Sequence, residues 1–356
     1  MKRSTAMNWK EGLLRPGVAA ALGAALLFGA GTPLAKLLLN NVDPWMLAGL
    51  LYLGSGIGLT LYRRLKHAPR ASLPRNEAPW LAGAVAAGGI VAPVLLMFGL
   101  TRMPASGASL LLNAEGVFTA LLAWFAFREN FDYRVAAGMA VIVAGVAILS
   151  WPDDARFNGV WPALAVLSAC FAWGIDNNLT RKISLADAAW LASVKGVVAG
   201  SVNLAIAFAL GARWPQVPVL VGALVVGFFA YGVSLAWFVV GLRHLGTART
   251  SAYFSVAPFI GAALALLMGE PATPSLLIAG GLMALGIWLH LTEFHAHEHA
   301  HEALEHEHEH VHDLHHQHHV HEPGVAAAAK HSHRHQHQPL RHAHPHFPDS
   351  HHRHSH

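Results

Sequence analysis

Four ionisable residues lie inside long apolar runs of this sequence: Lys36, Glu115, Asp176 and Lys195. A charge surrounded by hydrocarbon costs about 2.5–3.5 kcal/mol on insertion scales, so residues of this kind are candidates for a function. Glu115 lies near the centre of its run and cannot reach water by extending. We interpret it as a proton carrier or cation ligand. The alternative is a structural ion pair of Glu115 with Lys36 or Lys195.

A cluster of polar residues, Asp176, Asn177 and Asn178, stands where the sixth apolar run is predicted to end, shortly after Trp173. Its oxygens suit a cation or a polar solute. The alternative is that Asx residues simply favour a helix end, with Asp176 paired to a nearby basic residue. Lys195 is expected to interact with Asp176 or Glu115. The predicted substrate and proton pathway comprises Glu115, Asp176, Asn177, Asn178, Lys195, Lys36, Asn113 and Trp173.

Histidines dominate the C-terminal end of the chain. Of 27 histidines, 24 lie in residues 295–356, mostly as His-x-His with glutamates interleaved. Imidazole suits borderline divalent ions such as Ni, Co, Zn and Cu, so the tail is expected to bind such a metal. The alternative is a low-complexity extension whose metal binding has no physiological role. The predicted metal ligands are His297, His299, His301, His306, His308, His310, His312, His315, His316, His318 and His319.

The composition determines which elements must position these residues. Apolar residues make up 54% of the chain and charged residues 12%, which is typical of a membrane protein. The net charge of +4 is spread over short clusters, which argues against a nucleic-acid partner. A helix needs about 20 apolar residues to cross a bilayer. Ten runs qualify: 17–39, 44–62, 79–100, 104–127, 133–151, 159–178, 188–211, 217–242, 247–269 and 274–291.

The distribution of basic residues predicts the orientation. They cluster at the N-terminus and in every second loop, as at Arg63, Arg128, Arg181 and Arg243. Basic loops stay on the cytoplasmic side. Both termini are therefore predicted to be cytoplasmic.

The two halves of the chain resemble each other at a shift of about 143 residues. Phe28-Gly29-Ala30-Gly31 aligns with Phe171-Ala172-Trp173-Gly174, and Glu129 falls close to Glu270. Because each half has five helices, the second half must cross the membrane in the opposite sense. The fold class predicted is an all-α polytopic membrane protein with ten transmembrane helices in two inverted five-helix repeats.

With these motifs the sequence resembles the EamA-domain proteins of the drug/metabolite transporter superfamily. The resemblance implies a cytoplasmic N-terminus at 1–16 and five-helix repeats at 17–151 and 152–292. It also implies export of small molecules across the inner (plasma) membrane, often against protons. Residues 293–356 are predicted to be a disordered His-rich cytoplasmic tail, since they contain too few apolar residues to fold alone. In one departure from the family pattern, Pro258 of the second half is matched by Glu115-Gly116 in the first.

Two functions are consistent with the sequence, and neither is enzymatic, since no nucleotide-binding loop or catalytic motif is found. The first is proton-coupled export of a divalent metal such as Ni, Co or Zn, with the tail capturing or sensing metal and no cofactor required. The second is export of a small organic metabolite or drug-like solute, with a tail that only buffers metal. The expected partners are the lipid bilayer, the solute or metal and protons; homodimer formation is left open.

Overall fold

The structure, a computed structural model, describes residues 16–69, 71–127, 133–150, 160–183, 186–245, 250, 253–291, 296–301, 305–310, 331–336 and 340–345. The helices are α1 Pro16–Leu38, α2 Pro44–Leu65, α3 Ala78–Ala84, α4 Ala92–Arg102, α5 Ala105–Leu111, α6 Ala114–Phe127, α7 Tyr133–Ser150, α8 Val160–Lys182, α9 Ala188–Ala209, α10 Val217–Gly227, α11 Ser234–Leu245, α12 Ala257–Leu267 and α13 Pro274–Leu291. A 3₁₀ turn, Arg75–Glu77, precedes α3. Two π-helical segments, π1 Val85–Val91 and π2 Phe228–Val233, join α3 to α4 and α10 to α11.

Six helical segments are long and apolar enough to cross a membrane, as judged by length and composition. They are Gly17–Leu38, Pro44–Leu65, Arg75–Arg102, Ala105–Phe125, Ala188–Ala209 and Val217–Gly241. The all-helical prediction for this part of the chain is confirmed, since the described residues between 16 and 291 contain no strand. The other four predicted spans overlap α7, α8, α12 and α13, which are shorter or more polar, and ten spans stay a prediction.

One predicted helix boundary is wrong. The sequence places Asp176, Asn177 and Asn178 at the end of a helix, whereas α8 continues through them to Lys182. The reason is that their polar groups have partners within the helical conformation. The side chain of Asn178, for example, donates to the carbonyl of Gly174 one turn earlier.

Helices α2 and α9 pack against each other through glycines. A Cβ on Gly196 would lie 2.6 Å from the Gly56 nitrogen, and one on Gly200 would lie 2.6 Å from the Leu53 nitrogen. Such distances are possible only between bare backbones. Since Gly49 meets Leu204 while Gly56 meets Gly196, the two helices run antiparallel.

Helices α7 and α13 form a second antiparallel pair. A Cβ on Gly286 would lie 2.6 Å from the carbonyl oxygen of Gly138, and one on Gly145 would lie 3.0 Å from that of Ala279. Gly138 thus lies beside Gly286 at one end and Gly145 beside Ala279 at the other. Helix α7 of the first half therefore packs against α13, the last helix of the second half.

Polar contacts join the two halves at opposite ends of the bundle. At one end, Arg63 of α2 forms an ion pair with Asp187, which also caps α9 by accepting from the Trp190 nitrogen. Although partial burial opposes ionisation, the hydrogen bonds and charge of Arg63 hold the pKa of Asp187 below its usual range. At the other end, Glu270 accepts hydrogen bonds from the backbone nitrogens of Ala105 and Ser106, 2.7 and 2.8 Å away, and so caps α5.

Residues 294–356 form a second compact unit. Its described residues contain four strands, β1 Ala296–His301, β2 Glu305–His310, β3 His331–Gln336 and β4 Leu340–Pro345. Strand β1 pairs antiparallel with β4, and β2 with β3. The disorder predicted for the tail as a whole stays a prediction. The His-x-His alternation has a period of two, which is the period of a strand.

We expect Gly56→Ala to destabilise the protein, because its Cβ would collide with the Val197 nitrogen at the crossing of α2 and α9. Overpacking of this kind costs about 1–3 kcal/mol. The control is Gly281→Ala, since a Cβ on exposed Gly281 meets nothing within 4 Å. Thermal unfolding in detergent should show a lower midpoint for the first variant only. Equal midpoints for the two variants would show that α2 and α9 can move apart at Gly56 without loss of stability.

Candidate functional site

An ion pair lies at the centre of the site. Lys195 of α9 donates to both carboxylate oxygens of Asp176 in α8, with 2.6 Å between Nζ and Oδ1. Thr180 donates to the same Oδ1 from one turn later at 3.0 Å. The Asp176 side chain is only 7% exposed and that of Lys195 20% exposed. Each charge is therefore neutralised mainly by the other, because little water reaches the pair.

The π1 segment supplies the wall beside this pair. Its Gly88 carbonyl accepts hydrogen bonds from Tyr52 Oη at 2.6 Å and from Trp173 Nε1 at 3.0 Å. The next carbonyl, that of Gly89, accepts from Asn203 Nδ2 at 3.1 Å. Since a π turn is wider than an α turn, its carbonyls are available to side chains from neighbouring helices, and such segments are frequent at functional sites.

Gly88 is required for steric reasons. A Cβ built on Gly88 would overlap the carboxylate of Asp176. The absence of a side chain at this position therefore lets the carboxylate approach the π1 backbone directly. The ion pair and the π segment form one unit whose geometry depends on this glycine.

A second carboxylate, Glu115 of α6, has an amide partner. Asn177 Nδ2 donates to Glu115 Oε1 at 2.8 Å and contacts Thr119 Oγ1 at 3.2 Å. Asn178 Nδ2 donates to the Thr119 carbonyl at 3.1 Å. Asp176, Asn177 and Asn178 thus project to different neighbours, and the last two join α8 to α6.

The face of α8 that carries Asn177 indicates where the cluster around Glu115 is accessible. Val166, Cys170 and Trp173 precede Asn177 on the same helical face and are all buried in the core. Asn177 is nevertheless exposed, and so is Gly116 beside Glu115. Since this face of α8 points into the bundle, the exposed amide lies at an opening within the bundle rather than on its lipid-facing surface.

Further along the bundle, helices α1, α5 and α12 pack closely against one another. A Cβ on Gly261 of α12 would lie 2.7 Å from both the Gly29 carbonyl oxygen and the Ser109 hydroxyl. Helices α1, α5 and α12 therefore meet without intervening space. The Ser109 hydroxyl is buried there without a hydrogen-bond partner among the described residues, which is an unfavourable arrangement. The Glu270 cap on α5 lies on this side of the bundle.

The structure brings together most of the predicted pathway residues. Asp176, Lys195 and Trp173 surround π1, and Glu115, Asn177 and Asn178 form the adjoining cluster. Lys195 pairs with Asp176 rather than with Glu115. The partner of Glu115 is Asn177 rather than a lysine, and the partner of Asp176 is Lys195 rather than a basic residue at the helix end.

Two predicted residues lie apart from the cluster. Lys36 donates to the Leu100 carbonyl near the Glu270 cap. Asn113 is buried and donates to the Leu110 carbonyl, with its nitrogen 3.6 Å from the sulfur of Met283 in α13. Both have structural partners instead of facing Glu115. Of the predicted tail ligands, His312, His315, His316, His318 and His319 lie outside the described residues.

Sequence reasoning missed Tyr52 and Gly88. Tyrosine and glycine are common in apolar helices, so neither stands out by type. A signal existed for Tyr52, since the 143-residue shift places it at the position of Lys195. Among the described residues, no three His, Cys, Asp or Glu side chains are arranged to hold a metal ion.

A helical membrane bundle with paired charges in its interior is the architecture expected of a membrane transporter, and the comparisons agree. The EamA-like transporter family matches the chain twice, at residues 15–151 and 160–292. The chain belongs to this family. A solved crystal structure shares the fold, with a TM-score of 0.60 and 17% identity over 76% of this chain and 95% of its own.

Several curated proteins are similar in sequence. An uncharacterized transporter of Methanothermobacter thermautotrophicus is 28% identical over 77% of this chain and 85% of its own length. A "probable amino-acid metabolite efflux pump" of Escherichia coli is 28% identical over 50% of this chain and 55% of its own length. A "probable terminal-alkyne amino-acid exporter" of Streptantibioticus cattleyicolor is 26% identical over 62% and 74%.

The ion pair predicts non-additive stability changes. Asp176→Asn or Lys195→Met alone should lower the free energy of unfolding by about 3–5 kcal/mol, because each leaves an uncompensated buried charge. The double variant should lose clearly less than the sum of the two. Denaturant unfolding of the three variants in detergent measures this coupling. Additive losses would mean that the two charges do not depend on each other.

The glycine in π1 predicts a steric effect on transport. Gly88→Ala should displace the Asp176 carboxylate and abolish most solute export. Gly116→Ala is the matched control, because a Cβ there meets nothing within 4 Å although Gly116 adjoins Glu115. Export from cells, normalised to the amount of folded protein, compares the two. Full activity of Gly88→Ala would contradict the proposed importance of this contact.

Proposed function

We propose that this protein is a secondary-active exporter of a small amino-acid-like solute, with the Asp176–Lys195 pair as its binding site. The observation that carries this proposal is the presence of two opposite charges beside the π1 segment, whose carbonyls accept hydrogen bonds from neighbouring side chains. A buried ion pair is a poor source of stability, so its presence in a membrane bundle favours a role in binding.

The proposed architecture is ten transmembrane helices in two inverted five-helix repeats. In support, π1 and π2 begin at residues 85 and 228, which is the same 143-residue shift seen in the sequence. The antiparallel packing of α2 with α9 and of α7 with α13 is what inversion requires. Transport would then proceed by movement of the repeats around a central site. The buried Ser109 hydroxyl has no hydrogen-bond partner among the described residues, which is unfavourable. This supports an alternative conformation in which α1, α5 and α12 separate.

The proposed substrate class follows from the charges. An amino acid has a carboxylate and an ammonium group, which Lys195 and Asp176 can bind respectively while releasing each other. The apolar and aromatic residues around π1, such as Tyr52 and Trp173, would contact the remainder. The names of two relatives refer to amino acids or their metabolites, which is consistent with this class.

Protons are the proposed coupling ion and Glu115 the proposed carrier. Its partner Asn177 is neutral, and both adjoin an opening in the bundle. Protonation of Glu115 would therefore not leave a cation without a partner. The proposed location is the inner membrane with both termini cytoplasmic, supported by the basic loops. The opening beside Asn177 then faces the cytoplasm, where a substrate for export enters.

Export of a divalent metal is the weaker candidate. Its support is the His-rich tail alone, since the core cluster contains neither histidine nor cysteine and Asp176 is already neutralised by Lys195. Soft and borderline metals are usually bound by such nitrogen and sulfur ligands. The comparisons name amino-acid solutes and no metal, which favours the organic substrate.

The test uses full-length protein in proteoliposomes with a panel of radiolabelled neutral, acidic and basic amino acids. We expect Glu115→Gln to retain exchange of a labelled substrate against unlabelled substrate, but to lose accumulation driven by a pH gradient. Lys195→Met should lose both activities. Glu77→Gln, in the 3₁₀ turn that precedes α3, is the matched control.

A parallel assay separates the two substrate classes. Cells lacking their own exporters are grown on graded Ni, Co, Zn and Cu, with wild type, Glu115→Gln or a truncation after Phe294. Amino-acid transport without protection against any metal supports the proposal. Metal protection that is lost with Glu115→Gln, together with no amino-acid exchange, would overturn it.

A further inference from the structure

Glu270 joins the two halves of the chain at one end of the bundle. It lies between α12 and α13 of the second half, and its two carboxylate oxygens accept hydrogen bonds from the Ala105 and Ser106 nitrogens of α5 in the first half. Hydrogen bonds to a charged group are stronger than those between neutral groups, so this contact holds the two halves together. The opening beside Asn177 lies toward the opposite end, near the C-terminal end of α8.

Helix α5 is a short segment that is buried along its whole length. All of its residues, Ala105–Leu111, are buried, and a turn at Leu112 and Asn113 separates the segment from α6. At this turn the Asn113 nitrogen donates at 3.0 Å to the carbonyl of Leu110, which is three residues earlier rather than four. A tightened stretch of this kind within a helix often marks a hinge.

The second half has an interruption at the matching place. A turn at Ser255 and Val256 precedes α12, and these two residues follow Leu112 and Asn113 by 143 positions. The same shift relates the two π segments. Interrupted helices at corresponding positions are a feature of transporters built from inverted repeats. The turn between α5 and α6 is therefore a property of the repeat rather than an isolated irregularity.

The contact of α5 with α1 and α12 contains an unfavourable group. The Ser109 hydroxyl is buried there without a hydrogen-bond partner among the described residues. The gap beside it, which Thr32, Leu112 and Pro258 help to line, is too small to hold a water molecule. Close packing of the three helices therefore leaves this hydroxyl unsatisfied, whereas their separation would let water reach it.

We propose that α5 is a gate and that Glu270 is the residue that holds it closed. The hydrogen bonds of Glu270 keep α5 against α1 and α12, and the gate opens when α5 moves about the turn at Leu112 and Asn113. The carboxylate favours closure and the Ser109 hydroxyl opposes it, so their balance sets the fraction of molecules with a closed gate. In the proposed orientation the gate lies at the outer end, where an exported solute leaves. The inference rests on the proposed inverted-repeat architecture, and no particular substrate has to be assumed.

The test measures how fast a charged maleimide reacts at each end of the bundle. Full-length protein is placed in lipid nanodiscs, where the reagent reaches both faces of the membrane. Because the chain has one cysteine, Cys170→Ser gives a background without thiols. In this background Thr32→Cys reports on the gate, since Thr32 is only 4% exposed while the gate is closed. Gly116→Cys reports on the opening at the other end, where Gly116 is exposed.

Glu270→Gln should shift the ratio of open to closed gates by about tenfold, because a neutral amide replaces a charged acceptor of two hydrogen bonds. Labelling of Thr32→Cys should become correspondingly faster. Labelling of Gly116→Cys should fall or stay the same, since one end opens only while the other is closed. Ser109→Ala should slow the labelling of Thr32→Cys, because it removes the group that opposes closure. Glu77→Gln is the matched control and should change neither rate.

Two results for Glu270→Gln would overturn the proposal. An unchanged rate for Thr32→Cys would show that the carboxylate does not hold the gate, and faster labelling of both reporters would show that Glu270 stabilises the bundle as a whole. Glu270→Asp keeps the charge but is too short to reach both nitrogens, and it gives the same comparison if the first variant does not fold. Both rates are measured without substrate, so failure of the gate is distinguished from failure of the proposed amino-acid transport, which the exchange assay measures.

Discussion

The arrangement of the polar site depends on the contact between the Asp176–Lys195 ion pair and the backbone of π1. Two charges in a bundle that excludes water are tolerable only if each neutralises the other at close range. Gly88 makes this range possible, because any side chain there would occupy the position of the carboxylate. The remaining neighbours complete the polar network: Tyr52 and Trp173 bond to the Gly88 carbonyl, and Thr180 bonds to Asp176.

Around π1, the two halves of the chain have different residue types at matching positions. Under the 143-residue shift, Lys195 corresponds to Tyr52 and Gly88 corresponds to Tyr231. Tyr52 contacts both π segments, because its hydroxyl bonds to π1 while its ring lies 5.5 Å from the ring of Tyr231 in π2. Both residues of the ion pair belong to the second half, whereas the aromatic residues come from both halves, Tyr52 from the first and Trp173 and Tyr231 from the second. The proposed zwitterionic substrate with an apolar side chain would need both kinds of contact.

The sequence predicts the helices well because lipid imposes long apolar runs, and it identifies Glu115, Asp176 and Lys195 because charges in such runs are conspicuous. It does not predict which charges pair, since partners such as Asp176 and Lys195 are joined by the crossing of helices rather than by helical spacing. Nor does it predict π1, where only the carbonyl pattern around Gly88 reveals the wider turn. The role of Glu270 is likewise tertiary, because the helix that it caps belongs to the other half of the chain.

The two carboxylates differ in what a change of charge would do. Neutralising Asp176 would leave Lys195 as an unpaired cation in a largely dry environment, which costs several kcal/mol. Neutralising Glu115 would leave only Asn177, an amide that can donate to a carboxylate or accept from a carboxylic acid. Asp176 can therefore give up its partner only when a substrate supplies another ammonium group. Glu115 can change its charge without such compensation. This difference supports the proposed roles of the first carboxylate in substrate binding and of the second in proton coupling.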